Sequence, residues 1–146
     1  MSTGIVTVAD GTLLDRESAA SHNVVVRATS SDGSFQTSLM AINLNDVDEF
    51  DVGSIVDSDL SINSVAENSL SGTIVGITAF AIDADATNNL IAYTLDDSAG
   101  GRFAIDGVTG QITVDGAIDF ETAVVHNLTV RATSNDGSSQ TQVITV

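Results

Sequence analysis

Residues 119–141 read DFETAVVHNLTVRATSNDGSSQT, and residues 15–37 read DRESAASHNVVVRATSSDGSFQT. The offset between the two stretches is 104 throughout, and 15 of 23 positions are identical. Upstream of each copy, residues 4–11 (GIVTVADG) match residues 110–116 (GQITVDG) with a small insertion. A period near 104 is too long for one unit of a solenoid and suits tandem domains of β-sandwich size. The 146-residue chain is therefore expected to hold the last third of one repeat (1–42), an acidic interdomain linker (43–60) and one complete repeat (61–146).

Outward from that repeat, short β-branched runs predict strands at residues 5–8, 23–29, 36–42, 72–82, 90–95, 110–114, 127–133 and 140–146. Asp-Gly pairs at Asp10-Gly11, Asp32-Gly33, Asp106-Gly107, Asp115-Gly116 and Asp136-Gly137 mark tight turns. From Asn127 to Val130 the apolar positions alternate, which buries one face of a strand. No stretch keeps a helical period with caps. About seven strands in the second repeat predict an all-β, Greek-key, seven-strand β-sandwich preceded by a partial repeat. Alone, that partial repeat would expose an unpaired sheet. It is expected to be loosely ordered, to pair with a neighbouring chain, or to compete with residues 110–146 for the front half, residues 61–105.

Charge narrows the partners. Twenty acids stand against four arginines, and lysine, cysteine, proline and tryptophan are absent. A net charge of −16 repels DNA, RNA and anionic lipid. The longest apolar runs, such as residues 73–82, fall far short of the roughly 20 residues that cross a bilayer, so no direct membrane insertion is expected. No N-terminal stretch reads as a secretory signal. Without cysteine there is no disulfide, zinc-thiolate site or thiol nucleophile. Sixteen of the acids are Asp and four are Glu. The chain is 42% apolar, enough for a core, so charge-driven disorder is not the reading. Short Asp suits turns and hard-cation sites. Six carboxylates fall between Asp46 and Asp59, a composition break between the repeats.

Several motifs, among them Ala66-Glu67-Asn68, AIDADATNNLIAYTL (81–95), GGRFAIDGVTGQITV (100–114), Asp119-Phe120-Glu121 and LNDVDEF (44–50), together resemble those of the cadherin-type repeat of large bacterial surface and secreted adhesins. Ala66-Glu67-Asn68 resembles the family's Pro-Glu-Asn; AIDADATNNLIAYTL (81–95) its Asp-x-Asp and following strand; GGRFAIDGVTGQITV (100–114) its middle hairpin. Asp119-Phe120-Glu121, and Asp15-Arg16-Glu17 in the first repeat, resemble its Asp-x-Glu; LNDVDEF (44–50) resembles its linker. The resemblance implies Ca2+ at the junction between consecutive repeats. It carries over Asp15 and Glu17 from the first repeat, Asn45, Asp46 and Asp48 from the linker, and Asp83 and Asp85 from the second repeat. Glu67, Asp119 and Glu121 form a second, half-built set. Ser134 (Ser30 in the first repeat) stands where the family has Asp, and Asp136, two residues on, is the candidate substitute. Asn43 replaces Asp and Val47 replaces Asn in the linker pattern.

The remaining polar and aromatic residues have plainer readings. Asp51, Asp57, Asp59, Asp96 and Asp97 read as solubility or turn residues. His22 and His126 are repeat equivalents and read as structural. Arg27 and Arg131, also equivalents, are expected on an outward face or paired with an acid. Phe80, Tyr93 and Phe103 are expected in the core. Acid pairs recurring in each repeat look like ligands rather than one catalytic pair, and neither a nucleophile elbow nor a phosphate loop is present, so no enzyme is expected. The implied function is calcium-dependent adhesion at the cell surface or outside the cell. The partners would be neighbouring repeats, other adhesin copies or surface glycans. The alternative is a carbohydrate- or exopolysaccharide-binding module of a secreted protein.

Overall fold

The computed structural model describes residues 4–146 and separates into two compact units, Met1–Val47 and Asp48–Val146. Met1, Ser2 and Thr3 of the expected partial repeat lie outside the described residues. The first unit is an antiparallel hairpin of β1 (Ser21–Thr29) and β2 (Phe35–Asn43), in unbroken register from Ser21↔Asn43 to Thr29↔Phe35. Asp32-Gly33 makes its turn as expected. The Asp32 carboxylate accepts from the Ser34 amide (2.9 Å) and hydroxyl (2.7 Å), and Gly33 takes a φ of +89°. Along β1, His22, Val24 and Val26 are half-buried and alternate with exposed residues.

Residues 5–8 are not a strand, contrary to the expectation. Their equivalents in the second unit pair on both sides with strands that have no counterpart in residues 4–47, and a β-run without a neighbour has no ladder to join.

The second unit carries seven strands. They are β3 (Val56–Asp57), β4 (Ile74–Phe80), β5 (Ile91–Asp97), β6 (Phe103–Ile105), β7 (Gln111–Val114), β8 (Asn127–Ser134) and β9 (Ser139–Thr145). They form two antiparallel sheets, ordered β3-β4-β7-β6 and β5-β8-β9. The chain leaves the first sheet after β4, visits the second with β5, returns for β6 and β7, then finishes in the second. This is the sandwich that the strand count predicts. Its core is built by period-2 alternation: Val75, Ile77 and Ala79 from β4, Ile112 and Val114 from β7, Leu128, Val130 and Ala132 from β8, with Tyr93 and Phe103. The Tyr93 hydroxyl accepts from the Ala81 amide at 3.0 Å, so the one polar atom of that ring is satisfied inside the core.

Phe80 departs from the core expectation: it ends β4 on the outward side and is 46% exposed. Residues 48–60 depart too. Within that acidic stretch Val52 and Ile55 are core residues and β3 pairs with β4, so this part of the chain packs as sandwich.

Arg131 lies on the outer face of β8, as its position requires, and pairs with Asp96. Nε reaches Oδ1 at 3.0 Å, a second nitrogen contacts Oδ2, and Nη1 donates to Ser139 Oγ at 3.1 Å. The guanidinium holds the Asp96 carboxyl below its usual 3.8. A depressed acid contributes stability that is present above the unfolded pKa and lost as pH falls through the folded one. Arg131→Gln is therefore expected to lower stability slightly at pH 7. It should have little effect at a pH well below the depressed Asp96 pKa, because the carboxyl is then protonated and no ion pair remains to lose, although Arg131 stays charged. Urea midpoints of the two proteins at both pH values check this.

Candidate metal centre

Past the end of β4 the chain keeps its period-2 alternation. Ala81, Asp83 and Asp85 are buried, and Ile82 and Ala84 are exposed. The same spacing that sends Ala81 into the core therefore sends both Asp side chains inward, where Asp83 is 6% and Asp85 is 2% exposed. Asp85 is held on three sides. Its carboxylate accepts from the Glu49 and Phe50 amides, each at 3.2 Å, and its carbonyl accepts from Asn89 Nδ2 at 2.7 Å. Its own amide donates to Asp83 Oδ1 at 3.2 Å.

Asp136 arrives from the β8–β9 turn, where Gly137 has a φ of +105°. Ser138 donates to it from its amide (2.6 Å) and hydroxyl (3.1 Å), while the Ser138 hydroxyl accepts from the Val52 amide at 3.0 Å. Asp48 comes from the segment that enters the unit. Carboxylate oxygens of Asp48, Asp85 and Asp136 lie within 4.8 Å of one another. Ser134, at the position where Asp would stand, is 3% exposed and donates to the Asn88 carbonyl at 2.7 Å.

Crowding shows in the ionisation. Partial desolvation, then repulsion from Asp136 and from the Asp85 and Asp83 carboxylates, pushes the Asp48 carboxyl up. The unit contains two arginines, and both are engaged elsewhere: Arg131 with Asp96, and Arg102 with the Ala99 carbonyl at 2.7 Å. Asp83 Oδ2 is buried without a hydrogen-bond partner, an arrangement that is costly unless something positive meets it. An all-oxygen, acid-rich donor set with a buried orphan oxygen fits a hard divalent cation.

Glu67, Asp119 and Glu121 make a second group with oxygens within 4.8 Å, all three residues exposed. Asp119 accepts from the Thr122 amide (3.2 Å) and hydroxyl (2.8 Å), which lowers its pKa. Asp15 repeats that local fold in the first unit, accepting from the Ser18 amide (2.9 Å) and hydroxyl (2.7 Å). Glu17, Asn45 and Asp46 also belong to the first unit; Glu17 and Asp46 are half-buried and Asn45 is exposed.

Sequence reasoning misses Ser138, Asn89 and the Glu49 and Phe50 amides as supports. The Asn88-Asn89 pair, two residues beyond the Asp-x-Asp run, is a local signal for Asn89 alone; Ser138 acts on a residue 86 positions away. His126 sits edge-on to Phe103, with ring centroids 5.5 Å apart, consistent with packing rather than ligation.

The cadherin domain profile matches residues 62–146. The chain belongs to the cadherin domain family. It is 39% identical over 132 residues to protocadherin Fat 4 of Homo sapiens, covering 90% of this chain and 3% of that protein. It is 33% identical over 148 residues to cadherin-7 of Homo sapiens, covering 94% of this chain and 18% of that protein. The crystal structure of mouse cadherin-23 EC22-24 superposes with a TM-score of 0.73 at 27% identity, covering 90% of this chain and 43% of that one. The chain thus spans a small part of these relatives. They are animal proteins, and a bacterial source finds no support among them. Cadherin domains are tandem-repeat adhesion modules, not enzymes. Among the described residues no helix is long and apolar enough to cross a membrane.

Proposed function

We propose that this chain is a calcium-binding repeat segment of an extracellular adhesion protein, in which the metal stiffens the connection between successive cadherin repeats. The observation that carries this reading is the buried Asp85 carboxylate within 4.8 Å of those of Asp48 and Asp136, with the buried Asp83 and its orphan oxygen two residues away in the chain. Those four residues would hold the ion, and calcium would supply the positive charge that their crowding lacks. Asp15, Glu17, Asn45 and Asp46 enter the reading on the family resemblance alone, as do Glu67, Asp119 and Glu121 as a second set. Neighbouring repeats and other copies of the same protein are the partners proposed.

Calorimetric titration of the metal-free chain with calcium tests this. Uptake is expected with a Kd on the order of 10⁻⁴–10⁻³ M, the range of extracellular modules. Asp83→Asn and Asp85→Asn should each remove it. A wild-type chain that takes up no calcium at concentrations well above that range ends the reading.

A further inference from the structure

We propose that Asn127 is an acceptor for N-linked glycan, a proposal that rests on the extracellular reading above. Asn127-Leu128-Thr129 is the one Asn-x-Ser/Thr tripeptide in the chain. The sandwich presents it outward. In β8 the even-numbered residues Leu128, Val130, Ala132 and Ser134 are buried, so Asn127 and Thr129 share the solvent face, with Asn127 exposed. The Asn127 side chain is oriented by its oxygen, because Thr145 Oγ1 donates to Oδ1 at 2.9 Å. That leaves Nδ2, the atom that would be modified, without a hydrogen bond among the described residues.

The near-identical first copy supplies the contrast. Asn23 occupies the same position 104 residues earlier, at the same register in β1, but is followed by Val24-Val25. The acceptor signal is thus specific to the second repeat and not a by-product of the strand motif.

The position also has a use. β9 is the edge of its sheet, is exposed along most of its length, and reads SQTQVIT, with no charge, lysine or proline to discourage pairing with another chain. Asn127 leans onto Thr145 of that edge, so a glycan there would stand over its C-terminal end and over Val143, which is 56% exposed. In the transfer, Nδ2 bonds to C1 of the first N-acetylglucosamine of a polyisoprenyl-diphosphate-linked oligosaccharide. The C1–O bond to diphosphate breaks, the polyisoprenyl diphosphate leaves with the electron pair, and one amide proton is lost.

The full chain, expressed behind a secretion leader in animal cells, tests this. Transfer occurs in the endoplasmic reticulum, so secreted and retained chain are scored alike. Expected is a discrete mass increase removed by peptide N-glycosidase, with Asn127 converted to Asp and Asn23 unmodified. Asn127→Gln and Thr129→Ala should abolish the increase and Thr129→Ser should keep it. Unmodified Asn127 in the wild-type chain overturns the proposal, as does a glycan that persists in Asn127→Gln. Calcium titration of the same preparation reports separately: uptake without glycan sinks only this inference, and glycan without uptake sinks only the calcium reading.

Discussion

A hundred-fold excess of calcium over its Kd is expected to raise the melting temperature of the second unit by about 10–20 °C. A ligand that binds only the folded state at that excess adds about 2.7 kcal/mol. For a unit of this size each kcal/mol moves the midpoint by about 4–8 °C. Asp85→Asn is the sharp variant. It keeps an oxygen for one of the Glu49 and Phe50 amides, which bond to different oxygens of Asp85, sets an NH2 group against the other, and removes the charge. The calcium-dependent rise should vanish, whereas the metal-free protein should change little, since relief of the acid crowding opposes the loss of one amide hydrogen bond. The metal-free wild type has a further signature. The Asp48 carboxyl is raised, so the native state binds its proton more tightly than the unfolded state does. That group's contribution therefore favours folding as pH falls through its folded pKa and is lost as pH rises. Saturating calcium should reverse this trend. Thermal scans with calcium and with chelator decide the matter; coincident curves would falsify the metal-centre assignment.

Legibility from sequence followed periodicity. β1, β2, β4, β5, β7, β8 and β9 lie close to their expected spans because each is long enough to show alternation or a continuous β-branched run. β3 and β6 are two and three residues long and show neither. Residues 5–8 have the composition of a strand but no neighbour to pair with, a tertiary condition that no local window contains. Val52 and Ile55 were hidden by the six carboxylates around them, although both fill the core. At the candidate metal centre the Asp-x-Asp spacing translates directly into two inward side chains. Asp48 and Asp136 came only through family resemblance. The supports from Ser138 and from the Glu49 and Phe50 amides depend on segments meeting across the fold.

Gly110→Ala is expected to be the most damaging small substitution, at about 4 kcal/mol or more, in the range reserved for backbone strain and overpacking. Gly110 takes a φ of +72°, and a Cβ there would lie 2.1 Å from the Ala79 carbonyl oxygen. Relief requires moving β4 from β7, which breaks the bond from the Ala79 amide to the Gly110 carbonyl at 2.9 Å. The left-handed backbone alone accounts for about 1–2 kcal/mol. The chain contains its own control. Gly4, the repeat equivalent, has a φ of +63° but nothing within 4 Å of the same Cβ. Gly4→Ala should therefore cost only the conformational part. Melting temperatures of the two variants check this: Gly110→Ala should fall by at least about 15 °C. Equal losses would show that the contact with Ala79 contributes nothing.

β1 and β8 share most of their residues yet differ in cover: Val26 is half-buried where Val130 is wholly enclosed. Unprotected amide exchange is set by the side chains flanking the amide, and Ala28 and Ala132 have identical ones, each following Arg and preceding Thr. The ratio of deuterium uptake at Ala28, which is exposed, and Ala132, which is buried, therefore cancels the local chemistry. What is left measures, inside one polypeptide, how much a third strand and a facing sheet together add to the persistence of a hydrogen-bonded ladder.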